Sequence, residues 1–148
     1  MKKRLKIIPL SLVLLVPLVF ALTRGSAPAA SGNVDVDLSA LSSTMVYAQL
    51  FNILTDSESY LGKTIKMQGS YYASRSEITD RIYHLVIVND TSACCEAGIE
   101  FIWSGEHTYP DDYPAENARI EVAGIFDSYQ MSGQTLYYLA VDDISILQ

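Results

Sequence analysis

The chain is poor in cysteine, in cations and in catalytic signatures, and each shortage removes a class of protein. Cys94 and Cys95 are the only two cysteines in 148 residues, and they are neighbours. A disulfide between them closes no loop, so the usual staple of a small exported domain is excluded. Of ten Lys and Arg residues, Lys2, Lys3, Arg4, Lys6 and Arg24 fall within the first 29 positions. Residues 30–148 therefore carry five cations against all 17 acids, a net charge of −12. A surface this acidic repels phosphate backbones and anionic headgroups, which argues against nucleic-acid binding and favours cationic ligands or metal ions. Gly-x-Ser-x-Gly, a phosphate-binding glycine loop and His-Glu-x-x-His are all missing. Cys94 and His84 could pair as nucleophile and base, but no orienting context accompanies them, so the expected function is non-catalytic.

What is present begins with a targeting pattern. A basic start leads into "IIPLSLVLLVPLVFAL" at residues 7–22, an apolar run of 16 that contains Pro9 and Pro17. Ala27 and Ala29 then form an A-x-A site. The run is shorter than the roughly 20 residues of a typical span, so residues 1–29 are expected to be a cleaved signal peptide or an N-terminal membrane anchor. No cysteine stands at its end, which excludes a lipid-modified cysteine as the anchor. In both cases the domain is extracytoplasmic, secreted or held at the cell membrane. Residues 23–37 are rich in small and polar side chains and read as linker. The expected division is 1–29 signal or anchor, 30–41 linker and 42–148 folded domain.

Within the domain, Ser42 or Ser43 can cap a helix over about 44–55, with Met45, Leu50, Phe51 and Leu54 at near-helical spacing. From Lys63 onward the pattern alternates. Ile65, Met67, Gly69 and Tyr71 share one face of a strand. "RIYHLVIVND" is a second strand, and Ile99, Phe101 and Trp103 share a face of the third. Ile120, Val122, Gly124 and Phe126 do so in the fourth, and "QTLYYLAVDDISIL" follows the turn "MSGQ" as the fifth. "IKMQGSY" and "IEVAGIF" echo one another, each with a glycine where a strand bends or bulges. One short helix before five strands, with bent first and fourth members, predicts a mainly β fold: a five-stranded OB-like Greek-key barrel. A generic antiparallel sheet or sandwich is the alternative.

The segments "YLGKTIKMQG", "YHLVIVNDTSACCEAGIEF", "YPDDYP" and "IEVAGIFDSY" make residues 60–147 similar to a family of exported, largely uncharacterised OB-like domains from Firmicutes. More distantly, the Cys-Cys pair after the second strand resembles the C-terminal domain of membrane proteins that accompany predicted permeases. That second likeness implies metal homeostasis and a membrane-protein partner, although this chain has one apolar segment where those proteins have several.

Three readings of the cysteine pair stay open. As thiolates, Cys94 and Cys95 could hold Zn²⁺ or Cu⁺, with Glu96, His84, Asp90 or His107 completing the sphere. They could instead form a strained vicinal disulfide, since adjacent Cα atoms lie about 3.8 Å apart and disulfides prefer about 5.5–6 Å. One cysteine could also be a small buried hydrophobe. His84 alternates with Ile82 and Val86 and is expected to be half-buried and hydrogen-bonded. His107 is expected in a solvated polar loop. "EHTYPDDYPAEN" sets Tyr109, Asp111, Asp112 and Tyr113 in an extended, proline-fixed loop. With Trp103 it offers a binding lip for a cation, a cell-wall glycan, a peptide or a membrane partner. Packing of those tyrosines onto the barrel is the competing reading.

Overall fold

The computed structural model describes residues 33–89 and 95–148. The elements, in chain order, are β1 (Val36–Asp37), α1 (Ser43–Thr55), a 3-10 turn (Ser57–Tyr60), β2 (Thr64–Arg75), β3 (Ile82–Asn89), β4 (Glu96–Trp103), β5 (Arg119–Met131) and β6 (Gln134–Ile146). Among the described residues the fold is mainly β: one helix and a single sheet of six strands in the order β1-β2-β3-β4-β6-β5. A further β2–β5 pairing joins the far end of the sheet back to its beginning, so β2 to β6 form a closed ring. All its pairings are antiparallel except β4–β6.

The alternation read from the sequence is the alternation of the core. Ile65, Met67, Tyr71, Val86, Val88, Ile99, Phe101, Ile120, Val122, Phe126, Leu139 and Val141 all point inward and are buried. Gly69 and Gly124 lie on the same inner faces, where the ring tightens. A Cβ at Gly69 would stand 2.4 Å from the Ile87 carbonyl oxygen, and one at Gly124 2.5 Å from that of Ala140. No side chain fits against a partner strand at that distance. Gly124 also sits at a register irregularity of the β5–β6 ladder. The two glycines are related through the β2–β5 pairing, Ile65 opposite Gly124 and Gly69 opposite Ile120.

Two elements differ from the sequence expectation. The stretch read as linker contributes β1, which runs parallel to β2 with Val36 opposite Ile65, and buries Leu38 in the core. Helix α1 forms where expected but buries Val46, Leu50 and Ile53, whereas Met45, Phe51 and Leu54 are exposed. Helical periodicity identifies a helix, but when two stripes are apolar it does not say which one faces the core. α1 packs against β3 and β4, with Leu41 and Val46 beside Ile87, Val88 and Asn89. It covers the end of the ring where β3 finishes and β4 begins.

Candidate functional site

The other end of the ring is closed by rings of a different kind. Residues 104–118 leave β4 at Trp103 and return to β5 across the start of β3. The segment is a compact turn, not the extended loop expected of two Tyr-Pro pairs. The Tyr109–Pro110 bond is cis. Asp112 N–H donates to the Thr108 carbonyl at 2.9 Å and Tyr113 N–H to the Pro110 carbonyl at 3.2 Å. The Asp112 carboxylate accepts from Thr108 N–H at 2.7 Å. Asp112 thereby holds the turn that aims the two tyrosines, while Asp111 is exposed on its surface.

Tyr113 is the centre of the resulting cluster. The His84 imidazole stacks on its ring at 3.8 Å between centroids, nearly parallel. Trp103 meets Tyr113 edge-on at 5.6 Å, and His107 lies flat on Trp103 at 3.7 Å. Tyr109 leans over both His84 and Tyr113, at 5.5 and 5.9 Å. Beneath them Tyr71 and Phe101 are buried and contact His84. His107 is thus half-buried against the tryptophan, a correction to the solvated loop residue expected from its polar neighbours. Trp103 is fixed further by its indole N–H, which donates to the Asp142 carbonyl at 3.1 Å.

Hydrogen bonding assigns the His84 tautomer. The Tyr71 hydroxyl lies 2.8 Å from Nδ1 of His84. Burial pushes the Tyr71 hydroxyl well above the usual phenol range, so it stays protonated. Burial, helped by the Arg81 charge, pushes the His84 pKa down to about 4, so at neutral pH the imidazole is uncharged. With one proton on each side chain, the arrangement that satisfies both has Tyr71 donating to Nδ1 and the imidazole proton on Nε2. No buried side-chain nitrogen or oxygen among the described residues lacks a partner, and Nε2 makes no hydrogen bond there. It therefore faces solvent as a neutral donor. Tyr109 is exposed beside it, while Tyr113 is partly buried against the core and burial raises its phenol above the usual range, so it stays protonated.

The residues considered as metal ligands are divided between the two ends. Cys95 and Glu96 stand exposed at the start of β4, and Asn89 pairs with Glu96 there. His84 lies five positions further back along β3, about 17 Å at strand rise, and His107 belongs to the aromatic end with it. Asp90 and Cys94 lie outside the described residues. Among the described residues, no group of three or more His, Cys, Asp or Glu side chains gathers as a metal site would require.

A second polar cluster, which the sequence reading missed, occupies the outer face of β3 and β4. The Arg81 guanidinium donates to Glu100 at 2.7 Å and lies over the rings of Tyr83 and Tyr129, at 4.8 and 4.7 Å. Tyr129 donates to the other Glu100 oxygen at 2.7 Å, and Tyr83 donates to the Met131 sulfur at 3.3 Å. These contacts fold the far end of the β5–β6 hairpin onto the sheet. Only the alternation that turns Glu100 away from Ile99 and Phe101 hints at it in the sequence.

No family model matches the chain, and no curated protein sequence matches it.

Proposed function

We propose that β2 to β6 form an OB-type barrel and that the chain is an extracytoplasmic, non-catalytic binding domain whose ligand surface is the aromatic end built by residues 103–113. The strand order β2-β3-β4-β6-β5, closed by β5–β2 and carrying one parallel β4–β6 pair, supports the barrel reading. It is also what the resemblance to exported OB-like domains implies. The observation that carries the binding reading is the cluster around Tyr113. Flat faces and edges of Tyr109, Tyr113 and Trp103 stand beside three polar handles: two phenolic hydroxyls and the neutral His84 Nε2–H.

This chemistry suits a neutral, hydroxyl-rich ligand with an apolar face, such as a segment of cell-wall glycan. Glu106, Asp111 and Glu116 around the rim disfavour anions. The other form of the proposal, metal or redox sensing at Cys94 and Cys95, would draw on Glu96 and Asp90, since both histidines stand at the aromatic end.

Trp103, the only tryptophan, reports the test directly. Titration with soluble N-acetylglucosamine oligomers should shift its emission, and Tyr109→Ala should weaken that response at least tenfold. An unchanged Trp103 signal at millimolar oligomer would refute the glycan reading. Native mass spectrometry with and without reductant addresses the cysteine form. A bound ion, or a mass deficit of two hydrogens, supports it, and an unmodified mass in both conditions removes it.

A further inference from the structure

Helix α1 carries two apolar stripes, and the fold uses one. Val46, Leu50 and Ile53 face the core. Tyr47, Phe51 and Leu54 repeat the same spacing one residue later; Tyr47 is half-buried, and Phe51 and Leu54 face outward, 58% and 37% exposed. Met45 flanks them at 53% exposure. Between these side chains stand Thr44, Ala48, Asn52 and Thr55, so the 13-residue helix contains no charged residue. A single exposed leucine is ordinary, but an uncharged stripe on so acidic a domain is not.

We infer that this stripe is a self-association surface, on which α1 of a second copy packs antiparallel about a two-fold axis. The spacing is the first support. Thr44, Tyr47, Phe51 and Leu54 follow one another at three, four and three residues, the seam that lets two helices interlock. Charge is the second. Two copies meeting through another acidic face would oppose carboxylates, whereas α1 brings none into the seam. The helix ends are the third and set the direction. Ser42 makes no side-chain cap and the first turn holds no acid, so its N–H groups are unopposed. Asp56 and Glu58 follow the other end. An antiparallel partner places each acidic end beside the other helix's N-terminus, and two-fold symmetry does this twice. A parallel partner would set acid against acid. A lipid surface suits α1 less, because helices that lie in the interface carry Lys or Arg on the polar face, and α1 has neither.

A helix of this length spans about 20 Å, so the contact is small and the dimer weak. Photo-crosslinking of the full-length protein in intact cells is the appropriate test. A benzophenone side chain at Thr44 should give an adduct of twice the monomer mass, mapped to the region of Thr55 in the other copy. The same probe at Ile78, 96% exposed on the β2–β3 turn, should give none. Phe51→Asp, at an exposed position, should reduce the Thr44 adduct at least tenfold. Charge reversal at both Asp56 and Glu58, to Lys, should also reduce it. Crosslinks from Thr44 to lipid, to a different protein, or to Thr44 of the second copy would overturn the inference, as would monomer alone.

Discussion

Replacing Gly124 with Ala tests the closure of the ring with one carbon atom. The added Cβ would meet the Ala140 carbonyl oxygen at 2.5 Å, Val141 Cγ1 at 2.8 Å and the Ala140 carbonyl carbon at 3.0 Å. Two of these are backbone atoms of the hydrogen-bonded partner strand, so no rotamer change relieves them. Relief requires β5 and β6 to separate by several tenths of an ångström where the ladder already changes register. Overpacking of this kind costs about 1–3 kcal/mol. Alanine recovers about 0.5–1 kcal/mol, because it loses less backbone entropy on folding. At the middle of those ranges the net loss is about 1.3 kcal/mol, or roughly 4–8 °C in Tm for a domain of this size. Valine adds two further carbons and should cost more. Urea unfolding followed by tyrosine and tryptophan fluorescence measures it. Gly133→Ala is the informative control. That residue sits at φ +81 with nothing within 4 Å, so its cost is conformational alone, about 1–2 kcal/mol. If Gly124→Ala unfolds at the wild-type midpoint, the close approach of β5 and β6 is wrong, and the closed ring with it.

Three other outcomes follow from the same contacts. The His84 pKa is depressed in the folded protein to about 4 from an ordinary value of 6.5, so between those values the unfolded chain binds the extra proton. Its contribution is complete above about pH 6.5 and is lost as pH falls toward 4. Allowing for solvent screening of a half-buried group, it amounts to roughly 1–2 kcal/mol; unfolding midpoints for wild type and His84→Phe should converge across that window, and an NMR titration of His84 with a midpoint near 6.5 would contradict it. Glu100→Ala leaves Arg81 and Tyr129 without their shared acceptor and should cost about 2 kcal/mol. Amide exchange at residues 127–131 and 134–138 should quicken before that of β2, and uniform exchange would show that the cluster does not hold the hairpin. His107→Ala uncovers a face of Trp103 and should raise acrylamide quenching of its fluorescence; equal quenching would mean that the stack does not persist in solution.

How much of this was legible beforehand depends on the kind of contact. The strands were readable because each buries one face: Ile65, Met67 and Tyr71 alternate with Lys66, Gln68 and Ser70, and no other register hides them. Gly69 and Gly124 were readable because their repeated context broke that alternation at matching places. β1 was not, since a two-residue parallel strand carries no period; what distinguishes it from linker is its pairing with β2 and the burial of Leu38, neither of which has a local signal. The buried face of α1 was misread because Tyr47, Phe51 and Leu54 imitate Val46, Leu50 and Ile53 with a shift of one residue. At the aromatic end the participating residues were named, but their arrangement depends on Asp112 reaching back to Thr108 and on His107 folding over Trp103. Composition encodes neither. The Arg81–Glu100 pair spans 19 positions and has no local signal at all.

The two-residue strand β1 also gives the domain a direction. Asp35 N–H donates to the Thr64 carbonyl at 2.9 Å, and Thr64 N–H donates back to the Asp35 carboxylate at 2.8 Å. These bonds pin the incoming chain to the first residue of β2. Tyr71, under the aromatic end, lies seven residues further along that strand, a path of about 23 Å. The stem of the domain and its aromatic crown are therefore at opposite poles. On the proposed extracytoplasmic reading, a tether entering through β1 would hold the crown away from itself. Tyr109 and Trp103 then look outward like the head of a pin, and α1 stays near the shaft, where neighbouring copies can touch without covering either crown.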